Sequence, residues 1–382
     1  MGFTYRMATP ADRDAYIDFI NYVFSHDHRP HDFKAMLPKE YGDGRESRAA
    51  HFMALDEAGR IRGLVAALPF ELRVFERRLK FAYIGSVSVH PYARGEGHMK
   101  RLMAMVEAWL VEQQVDVAVL GGRRQRYQYF GYSKGGVNIR YEFNADNVRH
   151  GLKLVSCEDL ALEEIADARD LRVSELHALH AAQPVRVTRE SGHFFDVCHS
   201  WNNRLYAFTR GGSCAGYLVA GESHSIAEFV MADAADYPKA MKLWMNSTGA
   251  ARIGVVAQPQ DQALIAFLDE CAEDATIGAA ENLRVFHWEN ALPAYLALKQ
   301  AMGGISDGDC RLKVDGHPLH VGCHGGVLSV DEQVPEDAPE FTSLALQELL
   351  FRPTALLHPA CVGRAPKDWF PLPLSVPACD GF

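Results

Sequence analysis

Several things are missing from this sequence, and each absence excludes a class of function. No apolar run in the 382 residues reaches the ~18–20 needed to span a bilayer, so no membrane span is expected. The opening residues, Met1-Gly2-Phe3-Thr4-Tyr5-Arg6, lack the basic-then-apolar pattern of a secretion signal, and a cytoplasmic location is expected. The eight cysteines stand at 157, 198, 214, 271, 310, 323, 361 and 379, none in the first 150 residues and no two as a CxxC pair. That pattern argues against zinc and redox motifs and reads as scattered reduced thiols, so no metal is expected. Positive charge is scarce, with 39 Lys and Arg against 49 Asp and Glu and a formal net charge of −10. Phosphate binding needs clustered Lys and Arg, so a nucleic-acid partner is not expected.

What is present is ordinary globular material, 48% hydrophobic and 23% charged. The length is more than one core usually takes, which predicts two or three domains. A first strand is predicted at 4–9, then an amphipathic helix to about Phe24 and a polar stretch at 25–32 holding His26, His28 and His31. The spacing of these histidines matches no zinc pattern, and a loop at a substrate mouth is the expectation. Strands at 52–55, 61–75 and 79–90, separated by polar turns, predict an antiparallel meander. Met99, Leu102, Met103, Val106, Trp109 and Leu110 recur at helical spacing and predict a helix over 98–113. An apolar strand over 115–120 follows, and 136–143 reads as a closing strand. The pattern breaks near 144–155, where a domain boundary is expected, and strands and helices alternate again beyond it.

Chemistry concentrates in Ser86-Val87-Ser88-Val89-His90-Pro91-Tyr92-Ala93-Arg94-Gly95-Glu96-Gly97-His98-Met99, a strand, a glycine turn and a helix start. This arrangement suits a pyrophosphate. Unpaired N–H groups and the helix dipole favour an anion, and glycines let phosphate oxygens come close. A Gly-x-Gly turn alone is weak evidence.

Val89-His90-Pro91-x-x-Arg94-Gly95-x-Gly97 resembles the acetyl-CoA signature of the GNAT N-acetyltransferases, and Tyr127-Gln128-Tyr129-Phe130-Gly131-Tyr132 resembles that family's Tyr-x-x-x-Gly-Phe/Tyr. Met99 departs from the small residue usual there. The resemblance implies acetyl-CoA as acetyl donor, with Val87, Ser88 and Val89 along its pantetheine arm. Arg94 and the amides of Gly95, Glu96, Gly97, His98, Met99 and Lys100 would lie on its pyrophosphate. Gly122 and Arg123 would face it across a strand splay, and Tyr127 would be the general acid that protonates the leaving thiolate.

The whole chain resembles the Eis-like ("enhanced intracellular survival") acetyltransferases. Leu176-His177-Ala178-Leu179-His180, followed by Val185-Arg186-Val187-Thr188-Arg189, is similar to the opening of their second domain. No second Arg-x-x-Gly-x-Gly occurs between 150 and 290. The implied fold class is α+β, two GNAT folds in tandem with mixed, mostly antiparallel sheets, and a small sterol-carrier-protein-like C-terminal domain. The implied divisions are 1–145, a catalytic GNAT domain; 150–288, a degenerate second one; and 289–382, the sterol-carrier-like domain, its tail returning to the active site. In that family a terminal Phe supplies its α-carboxylate as base, which implies that role for Phe382. A free α-carboxyl has a pKa of ~3.5, so proton removal from an ammonium needs desolvation or a bridging water.

The implied reaction is direct attack by a primary amine on acetyl-CoA through a tetrahedral intermediate. The implied acceptor is a small cationic, aminoglycoside-like polyamine, with Asp27 and Asp380 as candidates for reading its charge. Two alternatives stand beside it: a protein or peptide Lys acetyltransferase, and a non-catalytic regulator that binds acetyl-CoA or a lipid. The family resemblance also implies a homo-oligomer, often a hexamer.

Overall fold

The computed structural model describes residues 2–27, 29–356 and 362–382; His28 and Cys361 lie outside them. The expected α+β architecture is observed as three sheets flanked by helices. The first has eight strands. The meander β1 (Thr4–Met7), β2 (Ala50–Leu55), β3 (Ile61–Val74) and β4 (Arg77–Val89) is antiparallel, and β5 (Val117–Leu120) joins β4 in parallel. Strand Glu281–Val285 then inserts between β5 and β6 (Ser133–Gly135), and Val185–Val187 pairs with the outer part of β3.

The segment expected to close this sheet does something else. β7 (Asn138–Asn144) lies in the seven-stranded second sheet, between Asp274–Gly278 and Arg252–Ala257. The two halves of the chain thus exchange strands, because β7 crosses out and Glu281–Val285 crosses back. A third sheet of four strands, built from Gly308–Val314, His317–His324, Val327–Asp331 and Glu340–Phe341, follows helix Trp288–Gly303.

Each face of the first sheet has its own core. Helix His98–Glu112 covers one face through Leu102, Val106 and Leu110, each no more than 1% exposed, and each contributes about 1.5–3 kcal/mol by leaving water. On the other face, α1 (Arg13–Asp27) and the C-terminal segment share one cluster that joins Ile17, Phe81 and Val119 to Trp288, Trp369 and Phe382. The C-terminal third is therefore packed into the sheet that carries the glycine turn.

The register of β3 and β4 slips between Leu64, paired with Ser88, and Ala66, paired with Gly85. Two residues of β4, Ser86 and Val87, thus oppose the single Val65, which makes a bulge. Ser86 has φ 50°, in the left-handed region that non-glycine residues avoid. A buried chain of hydrogen bonds holds it. His51 donates from Nδ1 to the Ala49 carbonyl at 3.0 Å, so its Nε2 accepts from the Tyr41 hydroxyl, which in turn accepts from Ser86 Oγ at 3.0 Å.

Burial lowers the pKa of His51 to about 4. The unfolded chain therefore takes up this proton near pH 6.5, before the folded chain does. Folding stability is expected to fall as pH drops from 6.5 towards 4. Denaturant midpoints measured across that range should shift downward, and His51→Gln should flatten this part of the profile. An unchanged slope in that variant would place the acid sensitivity elsewhere.

Candidate active site

The turn after β4 has the geometry that a pyrophosphate site needs. Gly95 and Gly97 have φ of 86° and 83°, and a Cβ at either would meet nothing within 4 Å, so backbone conformation rather than crowding calls for glycine. Gly97 is the N-cap of helix His98–Glu112, whose first N–H groups point out of the turn. Val87, Ser88, Val89, Arg94 and Met99 line a cleft of about 410 Å³ here, together with Asp27 and Arg126. Gly95, Glu96, Gly97 and Lys100 are exposed around it, and Lys100 lies 5.1 Å from the centre of the Tyr129 ring. His98 differs: its ring is buried, bonded to the Tyr5 hydroxyl at 2.8 Å and to Glu96 at 3.0 Å, so only its backbone can serve a ligand.

β4 and β5 pair only from Phe81 with Val117 to Tyr83 with Val119. Beyond that the strands part, and the gap opens into a second cavity of about 810 Å³ lined by Val87, Gly122, Tyr127 and Phe382. Arg126, Val87 and Phe24 border both cavities, so the two are neighbours there. Gly122, at φ 111°, lets the Tyr127 ring lie close: a Cβ there would be 3.0 Å from it. Burial raises the Tyr127 pKa above the usual phenol value, while the adjoining Arg126 guanidinium pulls the other way. Arg123 is exposed next to Gly122 and borders neither cavity.

Residues 379–382 are tied down from several sides. Arg189, with its side chain 1% exposed, donates to both carboxylate oxygens of Asp380 at 3.0 and 2.7 Å and to Glu228 at 2.9 and 2.6 Å. Burial alone would raise the Glu228 pKa, but Arg189 outweighs it and holds the carboxyl at about 2. Lys39, fully buried, donates to the carbonyls of Cys379, at 2.7 Å, and of Gly381; desolvation lowers its pKa to about 8. Trp201 donates from its indole to the Gly381 carbonyl at 3.3 Å. The Phe382 ring then fills the space above Gly85, where a Cβ would come within 2.5 Å of it, and lies 6.0 Å from the Tyr41 ring.

The structure thus brings Val87, Gly122, Tyr127 and Phe382 to one cavity. It does not bring Asp27 or Asp380 there. Asp27 pairs with Arg94 and His26 in the first cleft, and Asp380 is buried on Arg189. His31 lines the second cavity and contacts the Arg29 carbonyl at 2.6 Å. His177 and His180 donate to the carbonyls of Arg189 and Val187, both at 2.8 Å, as packing residues would. Sequence reasoning missed Arg126, Trp201, Lys39, Arg189 and Glu228. Arg126 stood one residue before Tyr127 and could have been found; Arg189 closed the quoted run over 185–189 without being read as a site residue, and the others act through contacts that no local pattern marks.

A glycine turn at a helix N-terminus, a bulged β4 and a splay between β4 and β5 form the candidate acyltransferase site, all within one stretch of the chain. Residues 4–135 match the acetyltransferase (GNAT) domain family, whose domains use acetyl-CoA as the acetyl donor. No curated protein matches the chain in sequence. Among solved structures, a probable N-acyltransferase from Enterococcus faecalis is similar at 16% identity, covering 94% of this chain and 92% of its own, with a TM-score of 0.67. A GCN5-related N-acetyltransferase from Anabaena variabilis is similar at 15% identity and TM-score 0.65, with 100% of both chains covered. Eis1 from Mycobacterium abscessus is similar at 14% identity and TM-score 0.62, again with 100% of both covered. At these identities the likeness is one of fold. Among the described residues no helix is long and apolar enough to cross a membrane.

Proposed function

We propose that this chain transfers acetyl from acetyl-CoA to a primary amine of a small molecule. One observation carries the reading: the cleft below the glycine turn and the cavity holding Tyr127 and Phe382 adjoin across Val87 and Arg126. A pyrophosphate on the turn of Gly95, Gly97 and the helix N-terminus directs the pantetheine arm along Val87, Ser88 and Val89 towards that junction. There the amine nitrogen attacks the thioester carbonyl, and a tetrahedral oxyanion forms beside the backbone of the bulge. A donor at such a position is worth about 2.7–4 kcal/mol of barrier. Collapse of the intermediate expels the CoA thiolate, and Tyr127 donates its phenolic proton to the sulfur.

The base in this reading is the α-carboxylate of Phe382 in a chain that ends there. The anchoring of residues 379–381 by Lys39, Arg189 and Trp201 supports it, since a free end would not be held from three sides. Phe382 borders the second cavity and not the coenzyme cleft, which supports a small acceptor over an extended peptide. We also propose the tandem division suggested by the Eis-like resemblance, with a sterol-carrier-like unit over 289–382.

The test is CoA release by the purified protein with acetyl-CoA and a panel of amines, beside a variant lengthened by a few residues past Phe382. Release that disappears in the lengthened variant is expected. Full activity in that variant removes the terminal carboxylate from the mechanism. Tight acetyl-CoA binding without turnover on any amine favours the regulator instead.

A further inference from the structure

The second cavity has no acidic side chain among its described lining residues. Phe24, Phe33, Tyr83 and Trp201 give it aromatic walls, and its charged side chains are Arg29 and Arg126. Neither guanidinium is ion-paired among the described residues, and Arg126 also contacts the Tyr127 hydroxyl. The carboxylates close by are all engaged. Asp27 is on Arg94 and Asp380 on Arg189, while Glu281 accepts from the Tyr83 hydroxyl at 2.8 Å and is pushed towards its neutral form by burial. Trp201 is held in the cavity wall at φ 62°, a conformation bulky residues avoid, with its indole N–H on the Gly381 carbonyl.

A polycation entering here would bring several ammonium groups to two guanidinium groups, with no side-chain counter-charge. An amine on an aromatic body would instead stack on Phe24, Phe33 or Trp201. A carboxylate on the same molecule would find Arg29 and Arg126, whose planar forks match it in geometry and charge. The two cations also disfavour a protonated acceptor nitrogen, which helps to deliver the free amine that attack requires.

We propose that the acceptor is a primary amine carried by an aromatic body that also bears a carboxylate, in the manner of an aromatic amino acid, and that Arg29 is a specificity-determining residue. This rests on the acetyl-transfer reading above. The test measures kcat/KM for CoA release with L-phenylalanine, with phenethylamine (the same amine without the carboxylate) and with kanamycin as the polycation, and acetyl-CoA binding by calorimetry.

L-Phenylalanine is expected to exceed both by about ten-fold or more, as losing a charge-assisted hydrogen-bond partner implies. Arg29→Gln is expected to bring the ratio of L-phenylalanine to phenethylamine towards one, mainly through KM. Phenethylamine equal to or better than L-phenylalanine overturns the carboxylate, and preference for kanamycin overturns the acceptor class while leaving acetyl transfer intact. No release with any of the three, with acetyl-CoA still bound, also overturns the acceptor class. Loss of acetyl-CoA binding as well, or no release on any amine of the wider panel, brings down the acetyl-transfer reading itself.

Discussion

Tyr127→Phe is expected to lower kcat for acetyl transfer by about 10²–10⁴-fold, the usual contribution of a positioned acid, with acetyl-CoA binding little changed. The substitution removes one hydroxyl and keeps the ring that lies against Gly122, so packing and the coenzyme cleft are preserved. A phenol whose pKa is raised by burial stays protonated through neutral pH and can donate to a thiolate leaving group. Arg126 borders both cavities and is set against Tyr127, where its charge is expected to stabilise the negative charge that passes between sulfur and phenol. Single-turnover kinetics with bound acetyl-CoA separate the chemical step from binding. An unchanged chemical step in Tyr127→Phe makes the residue a packing partner of Gly122 and passes the proton to another donor.

The second large effect is expected from Arg189→Met. Removing this guanidinium leaves Glu228 and Asp380 together in a buried space with only the Lys39 ammonium as a nearby cation. Breaking such a pair costs about 3–5 kcal/mol, a large part of the roughly 5–15 kcal/mol that holds a domain folded. The denaturant midpoint is expected to fall accordingly, and activity to fall further, because Asp380 no longer holds the last residues in place. The triple variant Arg189→Met, Glu228→Gln, Asp380→Asn removes all three charges and is expected to recover most of the stability. If it recovers stability but not turnover, the ion pairs act by positioning Phe382. If the single variant loses neither, the network is dispensable.

The glycine turn and Tyr127 of the candidate site were legible because their pattern is local. Two glycines at positive φ, an arginine and a helix start occupy consecutive positions, and Tyr127 follows one helix and one strand later, so short-range pattern and three-dimensional proximity coincide. The second cavity was not legible, because its parts come from distant segments. Trp201 and Lys39 meet residues 379–381 only after the sheets have assembled. Asp27 shows how position misleads: it sits at the end of α1 beside the expected substrate mouth, yet the fold turns its carboxylate to Arg94. The exchange of β7 and Glu281–Val285 was hidden for a related reason. Either strand satisfies the alternation that any sheet asks for, and only pairing over more than a hundred residues distinguishes the sheets.

That exchange sets a timetable for synthesis. The sheet bearing Tyr83 and Val87 is completed only when Glu281–Val285 has been made, because it lies between β5 and β6. Until then the ribosome-bound chain leaves β5 and β6 without the strand between them, and pairing at such sequence separation is slow. The catalytic apparatus therefore cannot form behind the ribosome one domain at a time. The first sheet waits for the second half of the chain, so a nascent chain stalled short of residue 281 is a target for chaperones rather than an early enzyme.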